Sequence, residues 1–210
     1  LMLTSDIENF PGYPQGIGGP EMMMELREQA ERFGLEVHDK NVERVDLSRR
    51  PYSVWVEGEE YRSESLIICT GAESIWLGVE GEEAQKGRGI STCATCDGAF
   101  FKDEEVIVVG GGDSAMEEAT FLTRFAKKVT IIHRRDVFRA SKVMYERASN
   151  HEKIEIKTFK NVISWLSDEN GLTGAVLEDS RDGSKENIDC TGAFIAIGHK
   201  PITKFLEGQL

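Results

Sequence analysis

With 210 residues, 40% of them hydrophobic and 30% charged, the chain is long enough to bury a sizeable core and has the balance of a soluble α/β protein. A net charge of −12, from 37 acidic and 25 basic residues, repels nucleic acid and anionic membranes and excludes both as general partners. Four cysteines, Cys69, Cys93, Cys96 and Cys190, are too few for a disulfide-stapled secreted scaffold and point to a reducing, cytoplasmic compartment.

No apolar run approaches the ~20 residues of a membrane span. The opening residues LMLTSDIENF lack a basic stretch followed by a long apolar core, so no signal peptide is expected. Residues 10 to 20, rich in proline and glycine, read as an irregular loop. A helix is expected next, with Pro20 in its first turn, Glu21 at its positive end and Gly34 as its stop. Met22, Met23, Leu26, Ala30 and Phe33 form its apolar face, where methionines serve as adaptable core. The runs LEVH, NVERVDL and YSVWVEG, with an EGEE turn into YRSES, predict short strands in a meander. LIICTG, residues 66 to 71, predicts a fully apolar strand ending where an α/β sheet offers backbone amides to a ligand.

Cys93-Ala94-Thr95-Cys96-Asp97-Gly98 places two thiols two residues apart, followed at once by a carboxylate. Such a pair can close and reopen a small disulfide ring, and a helix start beneath it favours the thiolate that attacks disulfides. The same spacing is half of a zinc site, which needs two further ligands; none is adjacent, and no metal is expected.

Strand EVIVV (105–109), the turn GGGDSA (110–115), a helical run from Met116 to Ala126 and strand VTII (129–132) follow in that order. The turn matches G-x-G-x-x-A in the strand–turn–helix–strand setting that a dinucleotide fingerprint requires. Gly110 permits the tight turn, Gly112 lets a pyrophosphate approach the backbone, and Ala115 keeps helix and strand close. Versions that bind NAD carry Asp or Glu at the end of the second strand; this chain has His133-Arg134-Arg135, with Arg139 beyond. Guanidinium forks grip the oxygens of a 2′-phosphate, so NADPH is favoured, with His133 donating to the phosphate.

A helix from Ser141 to Asn150 is expected to lead into EIKTF, NVISWLSD and GLTGAVLED, an antiparallel meander appended to the parallel sheet. CTGAFIAIG (190–198) predicts a buried strand, and Cys69 and Cys190 read as inert core cysteines. Trp55, Trp76 and Trp165 read as packing residues.

ENFPGYP, LIICTGA, CATCDGAFF, VVGGGDSAMEEA, HRRDVFRASK and AIGHKP, running from Glu8 to Pro201, resemble the low-molecular-weight thioredoxin reductases. CATCDG together with HRRDxFRA is the specific part of that likeness. The resemblance implies an α/β flavoprotein of two dinucleotide-binding domains: residues 1–75 as part of an FAD domain, 76–203 as a Rossmann-like NADPH domain with a β-meander carrying the dithiol, and 204–210 returning to the FAD domain. It implies that electrons pass from NADPH to FAD, to the Cys93–Cys96 disulfide, and to thioredoxin, in a homodimer when full length. Cys96 would lie against the flavin, Cys93 would attack the partner, and Asp97 would protonate a leaving thiolate. Asn9, Thr70 and Gly71 would touch FAD, while Gly110, Gly112, Ser114, Ala115, Glu118, His133, Arg134, Arg135, Arg139 and Gly198 would line NADPH. A hinge is expected near residues 73–78 and 201–205, because one domain must present both groups to one flavin.

The chain starts at Leu1 without a preceding glycine turn and stops at Leu210. The resemblance therefore implies truncation at both ends and poor retention of FAD. Two other readings share these motifs: a related flavoprotein that reduces a peroxiredoxin, and a non-catalytic NADP-binding redox sensor.

Overall fold

The computed structural model describes residues 6, 7 and 10 to 209. The chain divides into two units, Leu1–Thr70 with Thr203–Leu210, and Gly71–Ile202.

In the first unit β1 (Asp6–Ile7) pairs antiparallel with β2 (Ile17–Gly18), and α1 (Gly19–Arg32) follows. Proline in the first turn and Glu21 at the positive end start this helix, and Gly34, at φ 87°, lies just past its end. Met22 is buried beside Ile7 and Ile17, with Leu26 packed against them. The apolar face ends sooner than its pattern predicts, because Phe33 is 78% exposed. The meander is β3 (Arg44–Asp46), β4 (Tyr52–Val56) and β5 (Glu59–Ser63), all antiparallel. Glu57 and Gly58, both at positive φ, make the β4–β5 turn in the hand that matches strand twist.

Two expected strands of this unit are absent. LEVH is irregular, with Leu35 exposed, and residues 66–70 form no strand although five of them read as apolar or β-prone. A strand needs a partner backbone, and no named strand among the described residues pairs with either segment. Ile67 is 85% exposed, and Cys69 is exposed, which corrects its reading as a core cysteine.

The second unit contains β6 (Ala72–Ser74), α2 (Glu82–Gln85), β7 (Ile90–Ser91), α3 (Ala94–Asp97), β8 (Glu105–Gly110), α4 (Asp113–Leu122), β9 (Lys128–Ile132), α5 (Lys142–Ser149), β10 (Ile154–Lys157), β11 (Lys160–Asp168), β12 (Gly171–Asp179), β13 (Lys185–Asp189), β14 (Gly192–Ala196) and β15 (His199–Pro201). A parallel sheet of order β10-β9-β8-β14-β7 forms its centre. Alternation along the strands divides the core. Val106, Val108 and Phe194 join a cluster with Ala115, Met116 and Ala119 of α4, while Ile107, Val109, Ala193 and Ile195 join Trp165, Leu172 and Leu177 of the meander. Helices therefore cover one face and the antiparallel β11-β12-β13 meander the other.

Two meander expectations need correction. EIKTF supplies β10, which pairs in parallel with β9 instead of entering the meander. The third meander strand is β13, whose charged sequence KENID carries little apolar signal. Cys190 is buried as expected, and burial pushes its thiol up to about 12. Among the described residues no helix is long and apolar enough to cross a membrane.

Glu118, on α4, has a buried Oε2 without a hydrogen-bond partner. Burial, and next the charge of Glu117, raises its carboxyl from 4.5 to about 7. The folded state thus holds a proton that the unfolded state releases between 4.5 and about 7. The associated stability is complete at acid pH and is lost as pH rises through that window. Glu118→Gln should therefore gain stability relative to the parent between about pH 5 and about pH 8, read from urea midpoints; a constant difference would assign Glu118 no such titration.

Candidate functional site

The strand order reverses between β8 and β14: the chain steps from β8 outward to β9 and β10, then returns to lay β14 on the other side of β8. Such a switch point opens a crevice at the carboxyl ends of the strands. A cleft of about 480 Å³ lies there, between the turn after β8 and residues 196–198 at the end of β14. Gly110, Gly112, Ser114, His133, Arg134, Arg135, Arg139 and Gly198 all line it. Ala115 does not; it is fully buried, packed under the turn. Glu118 is likewise absent from the lining.

The turn suits a dinucleotide. A Cβ on Gly110 would lie 2.4 Å from the Ala196 carbonyl oxygen and 2.8 Å from Ala115 Cβ, so only glycine admits this approach of strand and helix. A Cβ on Gly112 would meet nothing within 4 Å, although the residue lines the cleft. An open turn of this kind at the start of a helix leaves backbone N–H groups accessible to an anion.

The arginine loop beyond β9 is tied to the turn by its backbone. Gly111 O accepts the N–H of Arg139 at 2.8 Å and of Ala140 at 3.1 Å, and Asp113 Oδ1 accepts the Ser141 N–H at 2.6 Å. Arg134, Arg135 and Arg139 are exposed, and none forms an ion pair with a carboxylate among the described residues. His133 is engaged otherwise than expected, its Nε2 lying 3.1 Å from the Val137 carbonyl oxygen.

Among the lining residues that escaped sequence reasoning are Ile75, Leu77, Lys160 and Asn161. Ile75 reaches the cleft because β6 pairs with β15 and its N–H bonds the Gly198 carbonyl at 3.0 Å. Lys160 is held by buried Asp179 at 3.1 Å and by Glu186 at 3.2 Å. Hydrogen bonds from Arg181, with Lys160 adding a further one, hold the Asp179 carboxyl well below the usual carboxylate range. These are contacts between strands distant in sequence, and no local spacing announces them.

The dithiol lies outside the cleft lining. Cys93 and Cys96 are joined as a disulfide. Cys93 caps α3: its Sγ accepts the Cys96 N–H at 3.2 Å and lies 3.4 Å from Thr95 Oγ1. Cys93 is half-buried and Cys96 exposed, with Asp97 half-buried one residue on. Ala94 is buried in the helical cluster, and a Cβ on Gly98 would press on Leu122 at 3.1 Å. Phe101 anchors the segment edge-on to Phe194 at 5.4 Å, whereas Phe100 is 81% exposed. Of the residues expected at FAD, Asn9 lies outside the described residues, and Thr70 and Gly71 are exposed and outside the cleft.

The family profile described as pyridine nucleotide-disulphide oxidoreductase matches residues 2–210. The chain is 50% identical over 210 residues to a thioredoxin reductase of Mycolicibacterium smegmatis, covering 100% of this chain and 67% of the relative. It is 49% identical to one of Streptomyces clavuligerus, of which it covers 65%. A solved thioredoxin reductase from Giardia duodenalis superposes with a TM-score of 0.81 at 39% identity, over 100% of this chain and 68% of the other. The chain thus spans about two thirds of the length of these relatives. With a glycine-turn cleft and a Cys93–Cys96 disulfide on one unit, the chain belongs to the pyridine nucleotide-disulphide oxidoreductase family, among the thioredoxin reductases.

Proposed function

We propose that the chain supplies the nucleotide-binding and dithiol parts of a cytoplasmic, homodimeric NADPH-dependent thioredoxin-disulfide reductase. The observation that carries this reading is the presence on one unit, Gly71–Ile202, of a fingerprint cleft edged by three arginines and of a closed Cys93–Cys96 disulfide. FAD, when bound, supplies the relay of an electron pair from NADPH to that disulfide. Thr70 and Gly71 are the described residues offered to FAD; they form no cradle by themselves.

The Gly110–Gly112 turn and Ser114 receive the pyrophosphate, and Gly198 forms the facing wall. Arg134, Arg135 and Arg139 neutralise the 2′-phosphate with charge-assisted hydrogen bonds. The end of β9 offers no carboxylate to a ribose hydroxyl, which supports NADPH over NADH.

Two electrons and two protons open the disulfide to a dithiol. One sulfur then attacks a partner disulfide as thiolate, forms a mixed disulfide and displaces a partner thiolate. The second sulfur attacks that mixed disulfide, restores the Cys93–Cys96 bond and releases the partner as a dithiol. The resemblance assigned the first attack to Cys93. Exposure supports Cys96 instead as the sulfur a partner can reach. Cys93, held by the Cys96 N–H and beside the Thr95 hydroxyl, is suited to carry the thiolate charge each time the ring opens. Asp97, next in sequence, is placed to deliver the proton to a departing thiolate.

Both connections to the first unit leave side by side, Ala72 opposite Pro201 in the β6–β15 pair. That pairing supports a hinge at the two crossings, by which cleft and dithiol take turns at one flavin.

Full-length protein should bleach its flavin with NADPH and reduce thioredoxin, and Cys93→Ser or Cys96→Ser should each cut thioredoxin reduction by roughly a thousandfold or more. Persisting reduction in either variant refutes the dithiol path. Cys93→Ser, which keeps Cys96, should trap thioredoxin with a single active-site cysteine as a mixed disulfide; trapping by Cys96→Ser alone reverses the roles. Arg134→Gln should lower the preference for NADPH over NADH by about tenfold, the worth of one charge-assisted bond, and an unaltered ratio of the two KM values removes Arg134 from the 2′-phosphate site. A disulfide engineered between the two units should stop turnover while sparing one half-reaction, and unchanged turnover rules out the hinge.

A further inference from the structure

Gly111 is the variable position of the fingerprint, and the fingerprint asks nothing of it. Its backbone does not ask for glycine either, since it is not among the positive-φ residues. Space does. A Cβ on Gly111 would lie 2.2 Å from His133 Cε1, 2.4 Å from Nδ1 and 2.8 Å from Nε2. The His133 ring therefore occupies the volume that any other residue at 111 would need.

That ring has little freedom to yield. It stacks on Phe138 at 4.4 Å with 31° between planes, and Phe138 packs on Tyr145 of α5 at 5.0 Å. Its Nε2 lies at hydrogen-bond distance, 3.1 Å, from the Val137 carbonyl oxygen. A carbonyl only accepts, so this contact engages Nε2 as a donor and takes that nitrogen from any phosphate. The backbone of His133 is pinned as well, its N–H to Lys157 O at 2.9 Å and its carbonyl to the Lys160 N–H at 3.0 Å. The loop from His133 to Arg139 is thus fastened to one residue at both ends: the ring sits on Gly111 Cα, and the Arg139 N–H bonds Gly111 O.

We infer that His133 is a positioning residue, wedged against Gly111, which holds the loop bearing Arg134, Arg135 and Arg139 in register with the pyrophosphate turn and so sets the preference for a 2′-phosphorylated nucleotide. The inference rests on the cofactor reading above and departs from direct donation by His133 to the phosphate. Several guanidinium groups grip one phosphate only if their spacing from the pyrophosphate is held within hydrogen-bond tolerance. Gly111 and His133 fix that spacing at the start of the loop, with the Asp113–Ser141 bond adding to the tie at its end.

The test is a double-substitution cycle in the full-length protein, Gly111→Ala, His133→Ala and both together. It is read as the ratio of dissociation constants for NADPH and NADH, and as the melting temperature without nucleotide. Each single change should lower the NADPH preference by about tenfold, the scale of misaligning one charged hydrogen bond. In the His133→Ala background, Gly111→Ala should cost no further preference and little further melting temperature, because the ring it would strike is gone. Should Gly111→Ala alone fail to fold, recovery of folding in the double variant is the same result. Direct contact predicts otherwise: beside the loss in His133→Ala, Gly111→Ala leaves the preference unchanged or the two losses multiply, and either outcome overturns the positioning role. A parent protein without NADPH preference overturns the cofactor reading and the positioning role with it. The melting cycle then still judges the wedge, which is refuted if Gly111→Ala destabilises both backgrounds equally.

Discussion

A close approach on which the second unit depends is made where β8 ends. Gly110 lies so near the Ala196 carbonyl oxygen and Ala115 that a single added carbon would stand 2.4 Å and 2.8 Å from them. That crowding brings the end of β14 and the start of α4 together at the switch point of the sheet. The cleft exists because three elements converge there without side chains between them. Displacing any of them by the width of a methyl group would separate the glycine turn from the wall at Gly198, so the cleft and the central packing are one piece of construction.

The same economy governs the two faces of the sheet. β8 is apolar at each position from Val106 to Val109, and alternate side chains enter different cores, one under α4 and one under the meander. A strand buried on both faces tolerates no polar phase, which is why these runs read as continuous hydrophobic stretches. β13, at the edge of the meander, has no such demand and can be almost wholly charged and polar.

Legibility in the sequence follows from locality. The strand, glycine turn and helix of residues 105–122 announce themselves because each requirement falls on a near neighbour in sequence: the tight turn on Gly110, the close helix on Ala115. The Cys93–Cys96 pair is legible for the same reason. LIICTG shows the opposite case: its composition says strand, but strand formation is decided by a partner that composition does not contain, and Ile67 is left facing outward. EIKTF is rightly extended and wrongly placed, since which sheet receives a strand depends on pairing with β9. Lys160 and Ile75 in the cleft, the buried Asp179 that holds Lys160, and the reason Gly111 is glycine all arise from contacts across the fold. No spacing rule within a window reaches them.

β14 touches both places where the chemistry is expected. Its middle residue, Phe194, receives the ring of Phe101 and so seats the segment that bears the disulfide, and the chain just beyond its end forms the wall of the cleft at Ala196 to Gly198. The strand is a ruler laid between the disulfide and the cleft, with one mark at each. Their separation within the unit is therefore spanned by five residues of one sheet, Gly192 to Ala196, and a change of register along that strand would move one place against the other.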